Sequence, residues 1–249
     1  KEINYIPVGL GNKFFSKDWL RDNSGDNISE KNRYYGEYTF HYWLWKNNFM
    51  NIEEGSWIGF CTYRRFWSNK IKNTVIKNLK DSIIQNVPEE WSEYNSVLVE
   101  PLFISKTKFS KVLKHGKKYL LKNPLIFFDK KKITIKVHFD MYHGHGNLDK
   151  AIDLLDIQNR EDFRRFVEAE NMFNPYNMFL CKSKKILNEY YESVFNWLSK
   201  CENIFGFDMN NSYGSIRIYG FLAERYLSYW FKKNSKSINW PIHFYDISN

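Results

Sequence analysis

The chain has 249 residues, 43% of them hydrophobic, enough to bury a sizeable core as a single domain with at most a small helical appendage. No apolar run reaches the roughly eighteen residues of a membrane span, and no charged-then-apolar leader ends in small residues, so neither a span nor a signal peptide is expected. The formal charge of +9 admits nucleic acid, but the basic residues are scattered and no recognition motif accompanies them, which argues against it. A mildly basic surface suits an anionic small molecule or acidic lipid headgroups equally well. Alanine occurs only at positions 151, 169 and 223 beside abundant Lys, Asn, Ile, Tyr and Phe, the mark of an AT-rich coding sequence. Cys61, Cys181 and Cys201 are odd in number and far apart, which argues against a disulfide framework and a structural zinc site and fits a reducing cytoplasm.

The chain opens on Lys1 rather than Met, and Ile3–Val8 reads as part of a strand, so sequence is expected upstream. Asp22–Ser29 is a cluster of turn formers in which Ser29 is a good N-cap. From Glu30 to about Asn47, Tyr35, Tyr38, Tyr42 and Trp45 recur at spacings of three and four, one face of a helix whose rings suit core packing. Trp57–Tyr63 is a short apolar run, read as a buried strand ending at Arg64 and Arg65. Residues 70–90 form a Lys-rich excursion with helical character, followed by strands at Ser96–Val99 and Leu102–Ile104. Lys106–Lys132 is basic and helical in its first half. The alternation of Ile133, Ile135, Val137 and Phe139 predicts a half-buried strand, running into a loop over Asp140–Gly146. Leu148–Glu170 reads as one or two amphipathic helices, Asn174–Leu180 as a short buried strand, and Lys184–Lys200 and Phe221–Lys233 as helices. The rhythm is α/β, with a helical C-terminal part.

Five ordered segments carry a resemblance: Asp22–Asn32, Trp43–Asn47, Gly59–Phe66, Asn174–Phe179 and Gly220–Arg225. Over nearly its whole length the chain resembles a family of capsular and exopolysaccharide biosynthesis proteins long catalogued as a domain of unknown function. Its members look like glycosyltransferases of the GT-A type, and some are linked with galactofuranose transfer. The resemblance implies a GT-A-like, Rossmann-like mixed sheet flanked by helices in a single domain. It also implies transfer of a hexose from a nucleoside diphosphate sugar, UDP-linked, to a capsular or lipopolysaccharide glycan. Family members begin with one more strand than this chain shows, and Thr62 stands where His is common before Tyr-Arg-Arg.

Such a transfer needs a cradle for the pyrophosphate, neutralisation of the leaving group and, for inversion, a carboxylate to take the acceptor proton. Where a GT-A enzyme carries an Asp-x-Asp metal motif, this chain has Tyr63-Arg64-Arg65. A guanidinium grips phosphate with a bidentate fork and keeps its charge, so Arg64 or Arg65 can replace the metal, or else one pairs with a core carboxylate. Metal independence is therefore expected, with Mg or Mn still open. Asp22, Asp26 and Asn27 enter a helix N-terminus, where they meet sugar or base, or merely shape the turn. His143 and His145 beside Asp140 suit a diphosphate, an acceptor or a metal, or form a solvated loop. Asn174, Tyr176 and Asn177 offer groups for sugar hydroxyls or for core hydrogen bonds. Glu224 is the first choice for the base, with Asp140 and Asp208 behind it; the alternative is a buried ion pair with Arg225, itself a candidate for substrate contact.

Residues 1–105 are thus expected to hold the nucleotide sugar and residues 106–249 the acceptor. The expected partners are a UDP-sugar and a glycan or lipid-linked acceptor reached at the inner face of the inner membrane. The competing readings are a carbohydrate-binding or scaffolding subunit and a transferase of another activated group.

Overall fold

The computed structural model describes residues 3–69, 79–106, 133–207 and 213–246. β1 (Val8–Gly9) pairs in parallel with β2 (Leu20–Arg21). The expected strand at Ile3–Val8 is confined to its end: Pro7 offers no backbone donor, and Tyr5 packs its ring on Phe66, 5.6 Å between centroids, while its hydroxyl donates to Ile84 O at 3.2 Å. Ser29 is not an N-cap. Asn27 Oδ1 instead accepts both the Ser29 N–H and its hydroxyl, at 3.2 and 2.9 Å, an Asx turn that buries Ser29.

The helix expected from residue 30 to 47 is present in pieces: a 3₁₀ turn (Ser29–Lys31), α1 (Asn32–Tyr35), α2 (Tyr38–Trp43) and a π-helical turn (Leu44–Asn48). Gly36 breaks it at φ +60°, with the Arg217 guanidinium seated where a Cβ would project. Tyr35 and Tyr38 are buried and Tyr42 and Trp45 pack against the same core, as their spacing predicts.

β3 is shorter than expected, Ile58–Gly59, and as an edge strand it is half-buried rather than buried. The chain does not end a strand at Arg65 but reverses there: Thr62 and Arg65 exchange backbone hydrogen bonds of 3.2 and 3.1 Å around Tyr63-Arg64, and β4 (Arg65–Trp67) follows. Within the Lys-rich excursion α3 (Leu79–Ser82) is helical and residues 70–78 lie outside the described residues, as does most of the basic segment 106–132. β5 (Ser96–Val99) is fully buried, and β6 (Leu102–Phe103) pairs with β7 (Met172–Phe173).

The strand expected at 133–139 is instead α4 (Ile135–His143), and only the end of the expected loop at 140–146 is loop. Thr134 caps it, its hydroxyl accepting the Val137 N–H at 3.4 Å. The period-two pattern misleads because both flanks of this helix are covered: Ile135, Phe139 and His143 form one buried row, and Val137 and Met141 another. α5 (Asn147–Ile152) and α6 (Ile157–Ala169) then match the expected amphipathic pair. β8 (Phe179–Cys181) occupies only the end of the strand expected from Asn174, because Tyr176 and Asn177 turn. α7 (Lys184–Phe205), α8 (Tyr213–Ile216) and α9 (Ile218–Asn234) follow. The chain does not close on a helix: β9 (Ser237–Trp240) and β10 (Ile242–Phe244) come after it.

The central sheet has the order β3-β8-β5-β9, antiparallel except for the parallel pair β5–β9. It draws strands from both sides of residue 105. Its residues alternate between two cores. Leu98, Phe179 and Cys181 face the large helical core with Tyr190 and Phe231, whereas Val97, Val99 and Leu180 face a smaller cluster with Trp67, Trp91 and Trp240. Covering both faces explains why β5 and β8 read as unbroken apolar runs. β10 pairs antiparallel with β4, setting Phe244 opposite Arg65. The α/β fold with a mixed sheet flanked by helices is the one expected.

Three imidazoles sit in this core, His41 and His143 buried and His138 half-buried. Burial pulls His41 and His138 down from 6.5 to about 3, and pulls His143 well below its usual value. In the unfolded chain each takes a proton near pH 6.5; in the fold they remain neutral. Stability should therefore fall as the pH drops below about 6.5, by as much as ~4 kcal/mol per pH unit once all three titrate. Denaturant titrations at pH 7.5 and 5.0 check this, and an unchanged midpoint would contradict neutral burial.

Candidate functional site

The site begins at the Tyr63-Arg64 reversal. The Arg64 guanidinium lies 4.9 Å from the centroid of Tyr63, a ring 66% exposed. Arg65 lies 4.0 Å over the Tyr176 ring and 5.6 Å from Phe244. Among the described residues neither guanidinium meets a carboxylate, and the Arg64 Nε is buried without a hydrogen-bond partner. Each guanidinium thus rests on its own aromatic face, and a cation so held with N–H groups unspent has the chemistry to grip an anion.

Tyr176 reaches Arg65 because the chain turns at Tyr176 and Asn177 with φ of 75° and 54°, left-handed values that cost non-glycine residues about 1 kcal/mol or more each. Hydrogen bonds hold the turn from all sides. The Tyr176 N–H donates to Glu224 Oε1 at 2.6 Å, the Asn177 amide to Gly220 O at 3.3 Å, and the Asn174 N–H to Ser228 Oγ at 2.7 Å. The Asn174 amide also donates to Val99 O at 2.6 Å and Asn239 Oδ1 at 3.0 Å, tying the turn to β5 and β9. Asn177 Oδ1 is buried and has no partner.

Glu224 gives its other oxygen to Arg225, an ion pair between neighbours on α9. Arg225 is 2% exposed and lies flat on Phe173, 3.9 Å from the centroid, with one amine 3.4 Å from His138 Nδ1. The expected buried pair thus exists, and its carboxylate also anchors the turn. Both carboxylate oxygens of Glu224 are thereby engaged, one by the Tyr176 N–H and one by Arg225.

The other candidates sit on other elements. Asp22 is fully buried, one oxygen accepting the Gly11 N–H at 2.9 Å and the other the Thr39 hydroxyl at 2.5 Å. Asp26 is exposed and accepts from the Tyr42 hydroxyl at 3.2 Å, while Asn27 braces its own loop through Gly25 and Ser29. At the end of α4, Asp140 accepts from the Gly146 N–H and His145 Nδ1, both at 3.1 Å. Burial raises the Asp140 carboxyl, against the pull of Gly146 and His145. His143 donates through Nδ1 to Gly214 O at 3.0 Å and stacks on Phe221 at 4.0 Å. Asp208 lies outside the described residues. No group of three or more His, Cys, Asp or Glu side chains among the described residues is arranged to hold a metal ion. A cavity of about 630 Å³ borders Asn69, Ile84, Val87 and Trp240, and none of the candidate residues lines it.

Arg65, Tyr176, Asn177, Glu224 and Arg225 therefore meet, although they come from three distant segments. Sequence reasoning missed Phe244, Tyr245, whose N–H donates to Arg64 O at 2.9 Å, and His138. The alternation Ile238, Trp240, Ile242 was a strand signal that leads to Phe244, and nothing local marks His138 as the neighbour of Arg225. Replacing Arg225 by Met strands Glu224 and should cost about 3 kcal/mol of stability. The double variant Glu224→Gln/Arg225→Met should cost less than the sum of the two single changes, as thermal unfolding of all three would reveal; additivity would contradict the coupling.

A solved structure of the bifunctional glycosyltransferase WbbM, in apo form, superposes with a TM-score of 0.65 at 19% identity, covering 98% of this chain and 46% of that one. This chain thus spans about half the length of WbbM and shares its fold. No curated protein matches the sequence. Residues 1–235 match the model of the domain of unknown function DUF4422, and the chain belongs to that family.

Proposed function

We propose that the protein is a glycosyltransferase that takes a hexose, galactofuranose or another, from a UDP-sugar and adds it to a capsular or lipopolysaccharide glycan. The reading is carried by the pair Arg64–Arg65, two guanidiniums on aromatic faces with no carboxylate partner among the described residues. The fold shared with the glycosyltransferase WbbM supports the reaction class. In the reaction the anomeric C–O bond to the diphosphate breaks, an acceptor hydroxyl oxygen bonds to that carbon, and its proton leaves to a base. Charge builds on the departing diphosphate, where two fixed cations act as an electrostatic clamp without a metal. Tyr176 forms the floor beneath Arg65, and the exposed rings of Tyr63, Phe244 and Tyr245 offer faces for sugar stacking.

Arg64→Met and Arg65→Met should each weaken UDP binding by about tenfold or more, measured by calorimetry. Unchanged binding in both variants would sink the proposal and favour a carbohydrate-binding subunit. Glu224→Gln keeps an acceptor for the Tyr176 N–H and removes the charge. A fall in kcat at unchanged KM assigns Glu224 to proton transfer, and full turnover assigns it to holding the turn.

A further inference from the structure

The loop joining β1 to β2, residues 10–19, presents its largest apolar side chain to solvent. Phe14 is wholly exposed, and Trp19 and Leu20 stand 38% and 39% exposed beside it. Single exposed apolar residues are ordinary; a Phe and a Trp on one short loop, with a Leu opening the strand after it, are not.

This exposure is built in. Phe15, the neighbour of Phe14, folds inward over Gly9, where a Cβ would collide with its ring, and Trp19 stacks on it with centroids 5.4 Å apart. The Arg21 guanidinium covers Phe15 at 5.1 Å and clamps the stem by donating to Gly9 O at 3.2 Å and Gly11 O at 2.7 Å. Asp22 fixes Gly11 from the other side, and the Trp19 N–H closes a turn on Ser16 O at 3.1 Å. A held stem with Phe15 turned in projects Phe14 outward. Lys13 and Lys17, both exposed, flank it, and with Arg21 against Asp18 they leave the loop positive. Just upstream, Ile6 is 73% exposed, and Tyr5 packs on Phe66, the residue after Arg65.

We propose that this loop docks the protein on an anionic lipid bilayer. Phe14 and Trp19 would enter the headgroup boundary, where amphipathic and aromatic rings are most stable, while Lys13 and Lys17 meet acidic headgroups. Charge complementarity selects this occupant over a second copy of the chain, whose matching loop would bring like charges together. The proposal rests on the proposed transfer to a surface glycan only for its purpose; the surface stands on its own geometry.

The test is sedimentation of the purified protein with vesicles of phosphatidylcholine alone and with phosphatidylglycerol added, without sugar nucleotide. Binding is expected only to the anionic vesicles and should weaken with salt. Phe14→Ser/Trp19→Ser and Lys13→Ala/Lys17→Ala should each lower the partition coefficient by roughly tenfold; the exposed lysine pair should keep the wild-type unfolding midpoint, and circular dichroism should show Phe14→Ser/Trp19→Ser still folded despite the lost Trp19–Phe15 stack. Equal binding by the wild type and both variants, or none by the wild type, overturns the proposal. Self-association lost in Phe14→Ser/Trp19→Ser without vesicle binding also overturns it and assigns the patch to a second copy. Vesicle binding and UDP binding are separate measurements, so either can fail alone.

Discussion

A guanidinium with 2% exposure keeps its charge and is costly to bury unless something answers it, and the arrangement around Arg225 follows from that need. Glu224 supplies the countercharge, and the Phe173 face and His138 complete the enclosure. Glu224 then has one oxygen left, which the Tyr176 N–H takes. That bond compensates for a turn of two left-handed non-glycine residues, which in turn sets the Tyr176 ring beneath Arg65. A buried charge on α9 is thereby linked through three contacts to a cation on β4.

The sheet makes this linkage possible. β4 is fastened to the C-terminal segment by β10, β8 follows directly from the turn, and α9 packs along α7 over the large core. Because Leu98, Phe179 and Cys181 face one core while Val97, Val99 and Leu180 face the other, neither sheet face can slide without exposing an apolar row. The candidate residues are therefore mounted on elements pinned from both sides.

What could be read in the sequence was what depends on neighbours in the chain. The long helices at Lys184–Phe205 and Ile218–Asn234 and the strand Ser96–Val99 carry their periodicity openly, and the aromatic row from Tyr35 to Trp45 packs as its spacing demands. Ile133–Phe139 failed because burial at every second position over seven residues suits a strand face and a helix covered on two flanks alike, and the Thr134 cap was the local clue that outweighed it. The Arg64–Arg65 and Glu224–Arg225 dipeptides were visible as unusual charges. Their relation was not, since the bond from Tyr176 to Glu224 spans 48 residues and no spacing rule reaches that far. Asp22 is the reverse case: a carboxylate in a turn cluster looks available, and only the fold reveals Thr39 and Gly11 around it.

The parallel pairing of β5 with β9 also constrains how the molecule can assemble. Val97 and Val99 are synthesised well before Ile238 and Trp240, which complete their cluster. Until then β5 has a bare edge beside an uncovered apolar face, the kind of template that recruits other chains. Contacts this distant in sequence slow folding, so the newborn chain stays vulnerable along β5 until β9 has been made and has paired.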